Sequence, residues 1–506
     1  MKNFINQWKW TFLLGILIIG LAFFLRYFNL NQLPVFADEA IYIRWAQVMK
    51  AESTLRFLPL SDGKQPLFMW VVIPFLKLVS DPLIAGRLVS VFSGMGTLVG
   101  IFVASYLLFN SKKASLISSL LYSISPYSIF FDRLSLVDSM LSMFGIWTFV
   151  GGVLLAKNKR LDIALLTGFI LGFALLTKST ALLFVLMFPA IFILSDFSKS
   201  QKISNLLKTL FLILTTFAVG YGMYNILRLG PNFHLLKSRS LDYVYPYSHM
   251  LTSFLDPLKP FADRILEYYQ MIGPIGLVFL AVLGVYSIRK YPKEILVLLV
   301  WGLIPVFIVS EFSKTMTARY ALFTLPYFIL IAGSVFADHK SKIINSLGYI
   351  SLLIFLVQGI YIDRLLLTNI EKAPLPRSER SGYLEEWTAG HGIKEVSNYL
   401  KSEFSKSPNK KIVVGTEGYF GTLPDGLQMY MADRPEVTVI GIGLELDKVP
   451  APLVNSVKAK DETYLVVNDS RMIVDYRKLK MTLVASYPKA TKPEGGLEYL
   501  YLLKVN

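Results

Sequence analysis

Residues 11–40 read TFLLGILIIGLAFFLRYFNLNQLPVFADEA: an apolar run, a short polar loop, and then the adjacent carboxylates Asp38 and Glu39. The run is long enough to cross a bilayer core of roughly 30 Å. Arg26 and Tyr27 follow it with no small-residue cleavage site, which predicts a retained helix rather than a signal peptide. An acidic pair against a membrane surface is costly unless something cationic or protic faces it, so the pair asks for a partner and a purpose.

The rest of the chain fits that opening. Its 506 residues are 54% hydrophobic and only 17% charged, too apolar for a soluble domain of this length. Further apolar runs near 82–108, 115–131, 136–156, 161–176, 180–196, 206–228, 271–288, 294–311, 319–337 and 343–362 predict about eleven transmembrane helices in a polytopic α-helical membrane protein. The basic residues Lys2 and Lys9, Lys112 and Lys113, Lys157, Lys159 and Arg160, Lys199, Lys202 and Lys208, Arg289, Lys290 and Lys293, and Lys340 and Lys342 fall on alternate loops. With the N-terminus cytoplasmic, all of these loops are cytoplasmic. The segment 66–79 then lies at the interface, because a further crossing would reverse every later loop. Asp38 and Glu39, the loop 229–270 and everything past about residue 364 are expected on the outer face of a multi-pass cell-membrane protein.

A net charge of +16 is largely accounted for by those loops, which favours contact with anionic membrane lipids over nucleic acid. The absence of cysteine excludes disulfides, thiolate nucleophiles and Cys-based metal sites. The expected organisation is a membrane domain over 1–365 with long outer loops at 29–81 and 229–270, a connector over 366–389, and a small α/β extracytoplasmic domain over 390–506. In the last, Ile393, Val396, Leu400 and Phe404 form one helical stripe, and 411–415, 436–441, 463–467, 481–486 and 497–503 read as strands.

Charges at the outer ends of the helices are few: Asp132, Arg133 and Asp138 before the fourth span, Lys178 in a minimal turn, and Arg319-Tyr320 opening the tenth. All share the predicted face of Asp38 and Glu39, which points to one polar cavity rather than scattered snorkelling side chains. Lys64 precedes the interfacial helix, where a cation opposes the helix dipole and an anionic ligand would explain it. The loop 229–270 carries Asn232, His234, Lys237, Arg239, Asp242, Tyr243, Tyr245, Tyr247 and His249, a set suited to gripping a phosphate or a sugar; an interfacial aromatic belt explains the tyrosines equally well. No GxxxxGK[ST], GxGxxG after a strand, Asp-x-Asp, HExxH or GxSxG occurs. No cofactor is implied, although His234, His249 and nearby carboxylates leave room for a divalent metal.

The order Asp38-Glu39-Ala40, Gly63-Lys64-Gln65-Pro66, Arg133-Leu134 with Asp138, Leu176-Thr177-Lys178, and Arg319-Tyr320 with Pro326 resembles the GT-C glycosyltransferases. Among these it is most similar to the protein O-mannosyltransferase and aminoarabinose transferase branch, families 39 and 83, over roughly residues 10–362. The resemblance implies inverting transfer of a sugar from a polyprenyl-phosphate carrier to an acceptor hydroxyl of a protein, lipid or glycan on the outer face. It implies Asp38, with Glu39 beside it, at the base position, and Lys64, Arg133, Lys178 and Arg319 at the carrier phosphate. Asp138, Arg239, Tyr243 and Tyr320 are the expected substrate contacts. Lys-Gln-Pro stands where the family has Lys-Pro-Pro, and the C-terminal part does not carry an obvious pattern of either enzyme. The competing reading, a transporter or flippase of lipid-linked sugars, would show paired repeats or symmetrically broken helices; a glycan sensor with an anchor would not need so many charges at the helix ends.

Overall fold

The computed structural model describes residues 2–195, 202–337, 341–406 and 410–506, with the side chains of 2–6 and 202 left aside. Of the basic loop residues, Lys199 and Lys340 lie outside the described residues, as do the side chains of Lys2 and Lys202. The chain divides into two compact units. One comprises Met1–Asn29, Thr54–Trp70 and Arg87–Pro376; the other comprises Leu30–Ser53, Val71–Gly86 and Arg377–Asn506.

The first unit is helical, and the protein is a multi-pass membrane protein. Six described helices are long and apolar enough to cross a bilayer alone: Gln7–Tyr27, Pro82–Phe109, Val137–Asn158, Ile203–Leu229, Pro292–Phe312 and Lys342–Thr368. Counting each bent pair, Lys112–Ile124 with Pro126–Asp132 and Leu258–Met271 with Ile275–Arg289, as one span raises the number to eight. The expected eleven included three runs that fold as shorter helices, Leu161–Thr177, Ser179–Leu194 and Ala318–Ser334. Parts of the last two, Ser179–Ala181, Phe188–Leu194 and Ala318–Thr324, are wound as 3₁₀ helix. Leu161–Thr177 packs closely on Lys202–Tyr224: a Cβ on Gly168 would lie 2.7 Å from Val219 Cβ, so the small residue sets the helix spacing.

A fully buried ion pair lies inside this unit. Arg26 Nε donates to Asp132 Oδ2 at 2.8 Å with both side chains fully buried, and its other nitrogens donate to Ala22 O, Ser123 O, Tyr122 O and Ser128 Oγ. The Tyr122 hydroxyl also donates to Asp132 Oδ2, at 3.0 Å. Asp132 is therefore a neutralised core group and not an open cavity charge. Arg26→Ala is expected to destabilise the protein by roughly 3–5 kcal/mol by stranding that carboxylate, read as a lowered unfolding midpoint in detergent; Arg26→Ala with Asp132→Asn should recover most of the loss.

The second unit is built around two sheets. β1 (Val35–Phe36) pairs antiparallel with β2 (Ala389–Gly390). β3 (Ile412–Thr416), β4 (Val437–Gly441), β5 (Glu462–Asn468), β6 (Met481–Pro488) and β7 (Tyr499–Val505) form a sheet of order β4-β3-β5-β7-β6. β3 pairs parallel with β4 and β5, and β7 antiparallel with β5 and β6. Side chains alternate between faces as the pleat demands. Ile412, Val414, Tyr464, Val466, Leu500 and Leu502 join one core, while Val413, Leu465, Val467, Leu503 and Val505 join another. The stripe Ile393, Val396, Leu400 and Phe404 is buried on the helix Ile393–Lys406.

This unit extends beyond 390–506. The helix Ala37–Ala51 from the first long loop buries Ala40 and Ile43 in the same core as Ile393, Leu400 and Leu427, and Leu83 joins them. The polar connector is ordered too, with Arg377 and Arg380 both bonded to the buried Glu385. Sequence composition marks surface polarity but not the apolar faces that recruit distant segments, and so the boundaries differ from 366–389 and 390–506.

His391, which follows β2, has its imidazole pKa lowered to about 4 by burial and, secondarily, by Lys489. A depressed pKa means the unfolded chain binds the proton more tightly, so stability is lost as pH falls from about 6.5 through 4. We expect the wild type to be roughly 1–2 kcal/mol less stable at pH 5 than at pH 7 through this group; His391→Gln should flatten that part of the melting profile.

Candidate functional site

Two 3₁₀ and loop segments of the helical unit bring its cations together. The turn Leu58–Asp62 closes on Gly63 at φ +67°, where a Cβ would lie 2.6 Å from Arg239 Cβ; only glycine suits both constraints. Lys64 follows, 3.2 Å from Asp62, and Arg239 binds the same Asp62 at 2.7 Å and Asp242 at 2.8 Å. Gln65 Nε2 donates to Ser179 Oγ at 2.6 Å, tying this loop to the turn that holds Lys178.

Lys178 Nζ lies 2.6 Å from Asp138 Oδ1 and 4.5 Å from the centre of the Tyr320 ring. The Arg319 guanidinium is 5.6 Å from that same ring. Asp138 sits in the first turn of Val137–Asn158, where the helix dipole favours an anion; it is 4% exposed against 21% for Lys178. Tyr127 donates to the carbonyl of Ala318 next to Arg319, holding that segment in place. Four of the expected residues thus converge as Asp138, Lys178, Arg319 and Tyr320, and Lys64 and Arg239 converge through Asp62. Such a set can bind and neutralise a phosphate while a carboxylate fixes the lysine.

Arg133 is used differently from the expectation. It is 8% exposed, and its guanidinium donates to the carbonyls of Leu25 at 3.1 Å, Arg26 at 3.1 Å, Phe28 at 2.6 Å and Asn29 at 2.8 Å. These are the orphan acceptors at the C-terminal end of Lys2–Tyr27, and a cation there also complements the dipole. Tyr243 is exposed at the end of Leu235–Tyr243, its carbonyl accepting from Lys314 N.

Asp38 and Glu39 belong to the second unit and part company. Glu39 is fully buried, and its Oε2 accepts from Phe36 N at 3.0 Å, the carboxylate half of a capping box at the start of Ala37–Ala51. Asp38, one residue earlier, is half-buried. The resemblance put Asp38 at the base position with Glu39 beside it; Glu39 at the third helical position, from which a carboxylate reaches back to the N-cap N–H, was the signal for its separate role. Gln65 was likewise read as a departure from the family turn, and its tether to Ser179 was missed. No three His, Asp or Glu side chains gather to hold a metal among the described residues; His249 Nε2 meets the carbonyl of Asp256.

Comparison with known proteins places this geometry. Residues 63–221, which include Lys64, Arg133, Asp138 and Lys178, match the family model of dolichyl-phosphate-mannose-protein mannosyltransferases. The structure is similar to ArnT from Cupriavidus metallidurans in the apo state, with 14% identity, 98% of each chain covered and a TM-score of 0.59. It is similar to the same protein bound to undecaprenyl phosphate at 13% identity, again over 98% of each chain, with a TM-score of 0.60. The oligosaccharyltransferase of Archaeoglobus fulgidus, tethered with an acceptor peptide, matches at 11% identity and TM-score 0.52 over 92% of this chain and 69% of that one. No curated protein sequence matches. The fold is that of the GT-C membrane glycosyltransferases. In this chain the fold comprises a mostly helical membrane body and a small C-terminal sheet domain.

Proposed function

We propose that the protein transfers a sugar from a polyprenyl-phosphate carrier to an acceptor hydroxyl on the outer face of the membrane, with inversion. The convergence of Lys178, Arg319, Tyr320 and Asp138 carries this reading, and the undecaprenyl phosphate bound by the structurally similar ArnT supports it. Asp38 takes the proton of the acceptor hydroxyl as its oxygen attacks the anomeric carbon. The bond from that carbon to the carrier phosphate breaks, and the phosphate leaves with the electron pair. Lys178 and Arg319 stabilise the charge that gathers on it, with Lys64 and Arg239 alongside; preorganised cations in a water-poor site achieve this better than solvent. Arg133 acts at one remove by fixing the end of the first helix, and Glu39 by capping the helix of Asp38.

The direct test uses purified protein with an undecaprenyl-phosphate-linked radiolabelled sugar, measuring release of undecaprenyl phosphate and labelling of cell-envelope acceptors. Transfer dependent on Lys178 supports the reading; carrier translocation without bond cleavage would replace it with a flippase. EDTA is expected to leave the rate unchanged within about twofold, because side-chain cations carry the phosphate charge. A tenfold loss restored by one divalent metal would add that metal to the site.

A further inference from the structure

The chain leaves β3 through the helix Asp425–Tyr430 towards β4, whereas it leaves β5 towards the β7-β6 side of the sheet. Between the carboxyl ends of β3 and β5 the connections diverge, which is where α/β sheets open a crevice for ligands. Glu417 follows the last residue of β3 and spans that gap. Its Oε2 accepts from Asn468 N and its Oε1 from Asn468 Nδ2, both at 2.6 Å. Glu417 is 4% exposed and Asn468 2%. The buried Asn468 Oδ1 has no hydrogen-bond partner. A buried amide oxygen left unmatched is costly. Neither Glu417 nor Asn468 serves the transfer chemistry described above.

Around them lie groups of both signs. Lys489 is 4% exposed, donates to the Glu386 carbonyl at 2.8 Å, and interacts electrostatically with Glu417, Glu498 and Asp469. Arg471 stacks 5.2 Å from the Trp387 ring. Large flat surfaces remain open beside this polar floor: Trp387 is 40% exposed, Phe420 63% and Tyr419 71%. Gly418 at φ +73° and Gly421 at φ +117° bracket Tyr419 and Phe420, and the Trp387 ring would be 3.7 Å from a Cβ on Gly421.

We propose that the carboxyl ends of β3 and β5, with Trp387, Tyr419 and Phe420, form a binding site for a neutral carbohydrate ring. Aromatic faces supply apolar stacking area. The floor offers acceptors and donors together, as vicinal hydroxyls require. The near balance of Glu417, Asp469, Glu498 and Glu386 against Lys489, Arg471 and Lys492 gives no net field to draw an anion. The unmatched Asn468 oxygen is an acceptor available to a sugar hydroxyl. That this carbohydrate belongs to the acceptor rests on the transferase reading; the binding itself does not.

The full-length protein in detergent is titrated with neutral manno-, gluco- and galacto-oligosaccharides, with their sulfated counterparts, and with a serine-rich peptide. Neutral oligosaccharides are expected to bind at about 0.1–1 mM. Trp387→Ala and Tyr419→Ala, both at exposed positions, and Asn468→Asp should each weaken that binding at least about tenfold. Undecaprenyl phosphate binding should stay unchanged in all three, whereas Lys178→Ala loses it and keeps the oligosaccharide. No neutral binding, binding indifferent to Trp387→Ala and Tyr419→Ala, or preference for the sulfated glycan or the peptide would overturn the proposal. Oligosaccharide binding without any transfer would instead overturn only the transferase reading.

Discussion

Asp38→Asn should reduce sugar transfer by about 10² to 10⁴-fold, the usual contribution of a positioned general base. The asparagine keeps the shape and the half-buried setting of the side chain. What it loses structurally is one negative charge in the first turn of Ala37–Ala51, about 0.3–1 kcal/mol of interaction with the helix dipole. The unfolding midpoint should therefore barely move while turnover collapses. Glu39→Gln is expected to behave in the opposite way. It weakens the bond to Phe36 N in the capping box, lowers stability by about 1 kcal/mol, and leaves most of the transfer rate. If instead Glu39→Gln silences the enzyme and Asp38→Asn spares it, the base is Glu39 and the buried cap is a resting arrangement.

Lys178→Ala is expected to lower transfer by about 10² to 10³-fold, comparable to removing one preorganised donor from a developing anion. This substitution also disturbs the fold, because Asp138 at 4% exposure loses its partner at 2.6 Å. An unpaired charge so placed costs on the order of 3 kcal/mol. The double variant Lys178→Ala with Asp138→Asn separates the two consequences. Its unfolding midpoint should return close to the wild type, while donor binding and transfer stay low. Recovery of transfer in the double variant would mean that Lys178 only neutralises Asp138 and that the phosphate is held by Arg319, Lys64 and Arg239.

Much of this architecture was legible in the sequence for identifiable reasons. Long apolar runs marked the helices, and short apolar runs bounded by turn-rich stretches marked the strands of the C-terminal sheet. Lys64, Lys178 and Arg319 stood out because cations are rare at the ends of apolar spans. What stayed hidden depended on tertiary contacts. Arg133 resembles a ligand-facing cation until the four carbonyls of Leu25, Arg26, Phe28 and Asn29 are seen around it. Asp132 resembles a cavity charge until Arg26, 106 positions away, is found against it. The lengths of the helices Leu161–Thr177, Ser179–Leu194 and Ala318–Ser334 were not legible either, because hydropathy reports apolarity and not where a helix bends or stops.

The pairing of Val35–Phe36 with Ala389–Gly390, and the packing of Ala40 and Ile43 among Ile393, Leu400 and Leu427, bear on how such a protein can be recombined. A chimera that exchanges only residues after about 377 would leave the peptide carrying Asp38 without the hydrophobic surface that folds it. Residues 30–53 and 71–86 would have to travel with the C-terminal portion, and any homologous replacement of that portion would bring its own residue at the position of Asp38.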